Sequence, residues 1–178
     1  MILTQPALPE NSYLHEATET VGLALVILAV FGRLWSILYI GSKKNRELVT
    51  TGPYSMTRNP LYFFSLCGLA GIGLIFGSMV LTIAILLAGA IVFYYTARRE
   101  ASYLKSTFGA AYEAYARRTP LIVPYPWRYQ SHKEVTFSTA ALAKTFLDCL
   151  PFLALYPLIE LLEYVHAIGY FTPLLQLP

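Results

Sequence analysis

A chain of 178 residues that is 56% hydrophobic and 13% charged, with a mean hydropathy of +0.53, carries about half the charge of an ordinary soluble domain. That excludes a soluble domain of this size and fits an all-α integral membrane protein built as one domain over residues 1–178. The net charge of +3 comes without a long basic run, which argues against nucleic acid and suits a membrane face with anionic lipid.

The first 19 residues contain no Lys or Arg and carry Glu10, Glu16 and Glu19, so they do not read as a secretory signal. Val21 to Ile40 is long enough to cross about 30 Å of hydrocarbon as a helix, with Trp35 and Tyr39 at the depth of an interfacial belt. Arg33 lies within this span; it either snorkels to the interface or lines a polar pocket. Residues 41–47 then read as a polar loop.

Residues 51–62, Thr-Gly-Pro-Tyr-Ser-Met-Thr-Arg-Asn-Pro-Leu-Tyr, set a Gly-Pro turn, a cation, a side-chain amide and a second proline before a long apolar segment. Residues 59–97 hold no charge and no histidine. One helix of that length would run about 58 Å, so two crossings are expected, turning at Gly77-Ser78 and forming a tight hairpin over about residues 61–95. Gly68, Gly71 and the Gly73-x-x-x-Gly77 spacing read as sites of close helix packing. Arg98, Arg99 and Glu100 wait at the far end, so the hairpin brings two polar clusters together at a lipid boundary.

Arg99 to Arg117 reads as a cytosolic amphipathic helix (about 99–117), with Leu104, Phe108, Ala111, Tyr112 and Tyr115 at helical spacing. Glu100 falls on that apolar stripe, and an inward carboxylate must be paired or used. Prolines make residues 119–127 an extended segment along the membrane surface. An apolar C-terminal extension, 139–178, is broken by Pro151, Pro157 and Pro173; it is expected to give a kinked membrane helix and then a further helix or re-entrant piece, four to five membrane helices in total. Basic residues before and after the hairpin share one face, which should be cytoplasmic, leaving the N-terminus outside.

Cys67 and Cys149 sit in apolar runs and read as small buried hydrophobes. His132 and His166 lack partners at ligand spacing, so no metal site is expected. There is no P-loop, no nucleophile elbow and no G-x-G-x-x-G. Pro60 suits a first helical turn, whose N–H groups attract an anion, and Arg58 adds a bidentate partner; an ordinary cap with a positive-inside arginine explains the same residues. Glu100 could face a ligand cation or form an ion pair with Arg58 or Arg98.

Gly52-Pro53-Tyr54 followed by Arg58-Asn59-Pro60-x-Tyr62 resembles the G-P-Y-x-x-x-R-H-P-x-Y signature of the isoprenylcysteine carboxyl methyltransferase and phospholipid methyltransferase superfamily. Glu100-x-x-x-Leu104-x-x-x-Phe108-Gly109-x-x-Tyr112-x-x-Tyr115, with Pro120 and Pro124, is similar to its second block, and together they cover about residues 48–126. The resemblance implies an integral membrane methyltransferase using S-adenosylmethionine at a cytosol-facing site. By match, Glu100, Arg58 and Asn59 become catalytic candidates. Tyr54, Arg58, Asn59, Pro60, Tyr62, Glu100 and Tyr112 become cofactor candidates, and Arg98, from the polar cluster beside Glu100, joins them. The family's histidine is Asn59 here, which cannot titrate. The second glutamate of its E-E pair is Ala101, so one carboxylate remains and a mechanism needing two is excluded.

The reading that follows is methyl transfer to a lipophilic small molecule or lipid entering from the bilayer: a prenylcysteine-like carboxylate, a lipid or a thiol. Phe63, Phe64, Tyr94 and Tyr95 are expected to flank adenine or the acceptor's tail. A phospholipid amine must lose a proton first, and without a histidine the site tilts toward a carboxylate or thiolate; a phospholipid amine N-methyltransferase is the alternative. Two other classes stay open. One is a sterol-reductase-like enzyme using a nicotinamide cofactor, for which this chain is short. The other is a non-catalytic membrane interaction protein that keeps the fold.

Overall fold

The computed structural model describes residues 4–5, 13–41, 47–131, 134–167 and 175–176. Five α-helices account for most of them: α1 Tyr13–Ile40, α2 Pro53–Met56, α3 Pro60–Ile75, α4 Met79–Arg118 and α5 Thr139–Ala167. A two-residue parallel pairing sets Thr4–Gln5 beside Leu175–Gln176. The all-α membrane architecture is as the composition requires. Three helices, α1, α4 and α5, are long and apolar enough to cross a membrane, and α3 is a shorter apolar helix beside them. The expected piece after α5 falls on residues 168–178, mostly outside the described residues, as do Lys43, Lys44, Arg46 and His132.

The core lies where α1 crosses α3. A methyl group on Gly71 would sit 2.5 Å from the Gly22 carbonyl oxygen, and one on Gly22 would sit 2.7 Å from that of Gly71. The two backbones therefore touch, a packing that only small residues permit between apolar helices. Val26 and Ile75 are fully buried beside this contact, with Phe152, Leu153 and Tyr156 of α5 closing over them.

The hairpin turns where the glycine and serine foretell it. Gly77 takes φ +66°, a left-handed conformation that favours glycine after a helix. Ser78 caps α4 by accepting from the Leu81 N–H at 3.3 Å. Gly73 and Gly77 do not form a shared packing face: Gly73 lies against Thr82 of α4, and Gly77 makes the turn. Along α4, Met79, Val80, Ile83, Leu87, Ile91 and Val92 are exposed, as lipid-facing residues are in a membrane helix.

The amphipathic helix is not separate. It is the continuation of the second hairpin helix, so α4 runs 40 residues, about twice a bilayer's need. No Gly or Pro occurs from Thr96 to Phe108, and a charged cluster changes the solvent without interrupting a helix. The break comes at Gly109, with φ +52° and ψ −126°. Residues 119–125 are non-helical, as their prolines dictate, and end in a single 3-10 turn, Pro126–Arg128.

Substituting Gly71 by Leu must push α1 and α3 apart, because backbone atoms cannot rotate away; such overpacking costs about 1–3 kcal/mol. The apparent melting temperature in detergent should fall by about 2–12 °C. Gly89→Ala is the matched control. Its added methyl meets the tip of Leu69 at 2.5 Å, a side chain free to turn, so a shift under about 2 °C is expected. Equal melting of Gly71→Leu and wild type would contradict the packing.

Candidate active site

The segment Gly52–Asn59 is held by the segment that follows α4. Gly52 takes φ +62° and a side chain there would enter the Tyr39 ring, so glycine is needed twice over. Its N–H donates to the Gln130 carbonyl at 2.6 Å. Pro53 and Pro60 occupy the first turns of α2 and α3, where no N–H is missed. The Arg58 N–H donates to the Pro120 carbonyl at 2.9 Å and the Tyr125 N–H to the Met56 carbonyl at 2.9 Å. Thr57 Oγ1 donates to the Ile122 carbonyl at 2.9 Å, and Asn59 Nδ2 to that of Leu121 at 2.9 Å. The Tyr115 hydroxyl donates to the Tyr54 carbonyl at 2.7 Å.

These contacts close a cavity of about 910 Å³, counting its open mouth, between α1, the loop before α2, α3 and α4. Tyr54, Arg58, Asn59, Pro60, Tyr62, Glu100 and Tyr112 all line it, so the structure brings together seven of the eight sequence candidates. Arg98 is the exception. It lines a shallower adjoining depression with Arg58, Ala101, Lys105 and Arg117, its guanidinium 5.8 Å from the Tyr94 ring.

Glu100 points inward and is held there. The Tyr62 hydroxyl donates to Glu100 Oε2 at 3.1 Å, and the Tyr62 ring stacks on Phe93 at 5.2 Å. No ion pair joins Glu100 to Arg58 or Arg98; further along α4, Lys105 and Glu113 form an exposed ion pair at 2.8 Å, which adds little stability. Arg58 Nη1 donates to the Tyr112 hydroxyl at 3.1 Å, while its Nε is buried without a partner. The Tyr54 hydroxyl is likewise buried and unpartnered. Burial, then the neighbouring Tyr115, Glu100 and Tyr62, push its pKa well above the ordinary phenol value, so it stays protonated and can donate. The three residues that carry this carboxylate and these two buried, unpartnered donors all line one cavity, and a buried polar group without a partner is costly.

Three expectations need correction. The start of α3 was to hold an anion, but the N–H groups of Arg58, Asn59, Tyr62 and Phe63 are committed within the chain, and the Asn59 side chain reaches Leu121 instead of capping. Of the first-turn donors, that leaves the Leu61 N–H beside the Arg58 guanidinium for an anion. Phe63, Phe64, Tyr94 and Tyr95 do not line the cavity: Phe64 packs against Trp35, and Tyr94 and Tyr95 are exposed. The apolar wall is instead made by Ile37 and Ile40 of α1, Leu48, Val49, Leu61 and Leu104. Finally, a second acidic residue, Glu47, is among those that line the cavity, and no expectation included it; its signal was a lone acid in a basic loop. Arg33 does not line the cavity; its guanidinium donates to Ser65 Oγ of α3.

A family model described as phospholipid methyltransferase matches residues 17–111, a stretch from α1 through the Gly109 break. The chain is 35% identical to the cobalt-zinc-cadmium resistance protein CzcN of Cupriavidus metallidurans, over 90% of this chain and 74% of that protein. It is 32% identical to the nickel-cobalt-cadmium resistance protein NccN of Alcaligenes xylosoxydans xylosoxydans, over 95% of this chain and 79% of that protein. No solved structure matches significantly. With more than half of its length under one family model, and with both halves of the motif gathered at one cavity, the chain belongs to the phospholipid methyltransferase family.

Proposed function

We propose that this protein transfers a methyl group from S-adenosylmethionine to a lipophilic acceptor that reaches the cavity from the bilayer. One observation carries the reading. Glu100, Tyr54 and Arg58, the last two each with a buried polar atom that has no partner, line one cavity with an apolar wall. The donor set fits the group: a carboxylate for a sulfonium or ammonium, a guanidinium and a phenol for a carboxylate and ribose. Bound there, S-adenosylmethionine supplies an already activated methyl group, so positioning and exclusion of water can provide much of the acceleration.

The chain's own residues divide the work. Glu100, fixed by Tyr62, balances positive charge. Arg58, propped by Tyr112, holds the carboxylate end. Asn59 ties the helix start to Leu121 and acts by positioning. Ile37, Ile40, Leu48 and Val49 receive the acceptor's tail. The site face is assigned to the cytoplasm, on the strength of Arg58, Arg98, Arg99, Lys105, Arg117 and Arg118 around it.

The relatives' names favour a second statement, about purpose. We infer that this methyl transfer serves resistance to divalent metal ions. Among the described residues no three His, Cys, Asp or Glu side chains gather as metal ligands, so the contribution is assigned to the methylated product.

Calorimetry of the purified protein in detergent tests the cofactor. S-adenosylmethionine should bind saturably, with affinity falling at least about tenfold in Glu100→Gln and in Arg58→Ala, the loss of one charge-assisted contact. Asn59→Ala should keep the affinity within about threefold while lowering the melting temperature, since it removes the 2.9 Å donor to the Leu121 carbonyl. Binding of NADPH in place of S-adenosylmethionine would move the assignment to a reductase. For the second statement, the wild-type chain expressed in a metal-sensitive bacterium should raise tolerance to cobalt or cadmium and Glu100→Gln should not. Equal protection by both would separate resistance from methyl transfer.

A further inference from the structure

Asp148 stands in the middle of the 20-residue apolar stretch Thr139–Leu158 of α5. That stretch begins level with the end of α1, since a methyl group on Gly41 would meet the Ala141 Cβ at 2.9 Å. At 1.5 Å per residue Asp148 lies about 13 Å into the span, close to the centre of the hydrocarbon. Its side of the helix is not the packed one. Thr145 and Cys149 are buried, and Phe152, Leu153 and Tyr156 pack on the core. Lys144 and Asp148 are exposed, with Leu147 and Leu150 exposed beside them.

The membrane-spanning part of α4 is the contrast. Its outward face is also exposed, yet residues 79–97 hold no charge. The surface that this chain turns to lipid on α4 is uncharged, whereas on α5 it carries a cation and an acid one turn apart. Ionised side chains at such depth are costly in lipid, and they ordinarily face the interior of a bundle and pair there. Among the described residues neither Lys144 nor Asp148 has a hydrogen-bond or ion-pair partner, and they do not pair with each other. The face therefore asks for a partner that brings charge of both signs.

We propose that this face of α5 binds a second copy of the chain, with Lys144 of each copy pairing with Asp148 of the other. Two copies in one membrane share an orientation, so the twofold axis lies along the membrane normal and the two α5 helices run parallel. Lys144 of one copy and Asp148 of the other are then offset by four residues, about 6 Å along the axis, a gap that the long lysine stem spans. The axis makes the pair twice, so four charges alternate in sign and each is compensated. Ala140 and Ala143, exposed one turn away, leave room for the two backbones to approach. A wholly apolar helix, like a lipid tail, would leave both charges uncompensated. The dimer is independent of the methyl-transfer reading.

The test uses the full chain, carrying a donor or an acceptor dye on an appended tag and reconstituted in liposomes. Energy transfer between copies is read as the lipid-to-protein ratio is raised. The wild type should associate. Asp148→Leu, a change that suits a lipid-facing position, should raise the dissociation constant at least about tenfold, the loss of two intramembrane pairs, with an unchanged circular dichroism spectrum. Asp148→Lys and Lys144→Asp each set like charges together, so neither should associate with itself. Mixed with one another they should pair again, which a contact within one chain cannot reproduce. A wild type that stays monomeric at every ratio overturns the inference and leaves Asp148 against lipid or a different protein. So does Asp148→Leu associating as tightly as wild type, and so does a mixture of well-inserted charge-reversed chains that remains monomeric. If the charge-reversed chains fail to insert, the comparison of Asp148→Leu with wild type decides.

Discussion

Everything at the candidate site depends on the hydrogen bonds between Gly52–Asn59 and the strap that follows α4. Neither segment has regular structure that would fix it alone: α2 is four residues long, and residues 119–125 are non-helical. Together they satisfy each other's backbone groups through the Gly52, Arg58 and Tyr125 N–H donors and the Thr57 and Asn59 side chains. Buried backbone groups demand partners, so this pairing is the condition for burying Tyr54 and Arg58 at all. The short hairpin of α3 and α4 makes it possible, because it returns the chain to the side from which it left.

The site then places unlike demands on a small volume. The membrane requires apolar walls, while a charged ligand requires fixed charges. The fold separates the two by element. Ile37 and Ile40 of α1, with Leu48 and Val49, give the cavity an apolar side. Arg58 and Glu100 face it from α3 and α4, each steadied by a tyrosine, Tyr112 and Tyr62. The two charges make no ion pair with each other, so both remain available to a ligand of mixed charge. Arg33, a cation within α1, donates to Ser65 of the neighbouring helix, a helix-to-helix tie in apolar surroundings, and its Nε is buried without a partner as that of Arg58 is.

Much of this was legible in the residues. Gly77-Ser78 marked the turn, because few other residues accept a left-handed conformation and a cap in succession. Arg58-Asn59-Pro60 and Glu100 marked the two ends that had to meet, and their convergence follows from hairpin geometry alone. The interior walls were not legible. Ile37 and Ile40 look like any lipid-facing isoleucines until the rotation of α1 is known. The same uncertainty of rotation misplaced Phe63, Phe64, Tyr94 and Tyr95. The charged cluster at Arg98-Arg99-Glu100 read as the start of a new helix, whereas backbone hydrogen bonding runs through it and yields only at Gly109. Glu47 was missed as a lining residue because spacing carries no information on where a loop folds.

The most direct test of the account is an experimental structure of the full chain with S-adenosylhomocysteine at saturating concentration. The account predicts the ligand in the cavity between Glu100 and Arg58, with the Tyr54 hydroxyl and Arg58 Nε now hydrogen-bonded to it and the apolar wall of α1 left open for an acceptor. Ligand elsewhere, or a cavity empty with Tyr54 and Arg58 still unpartnered, would contradict it.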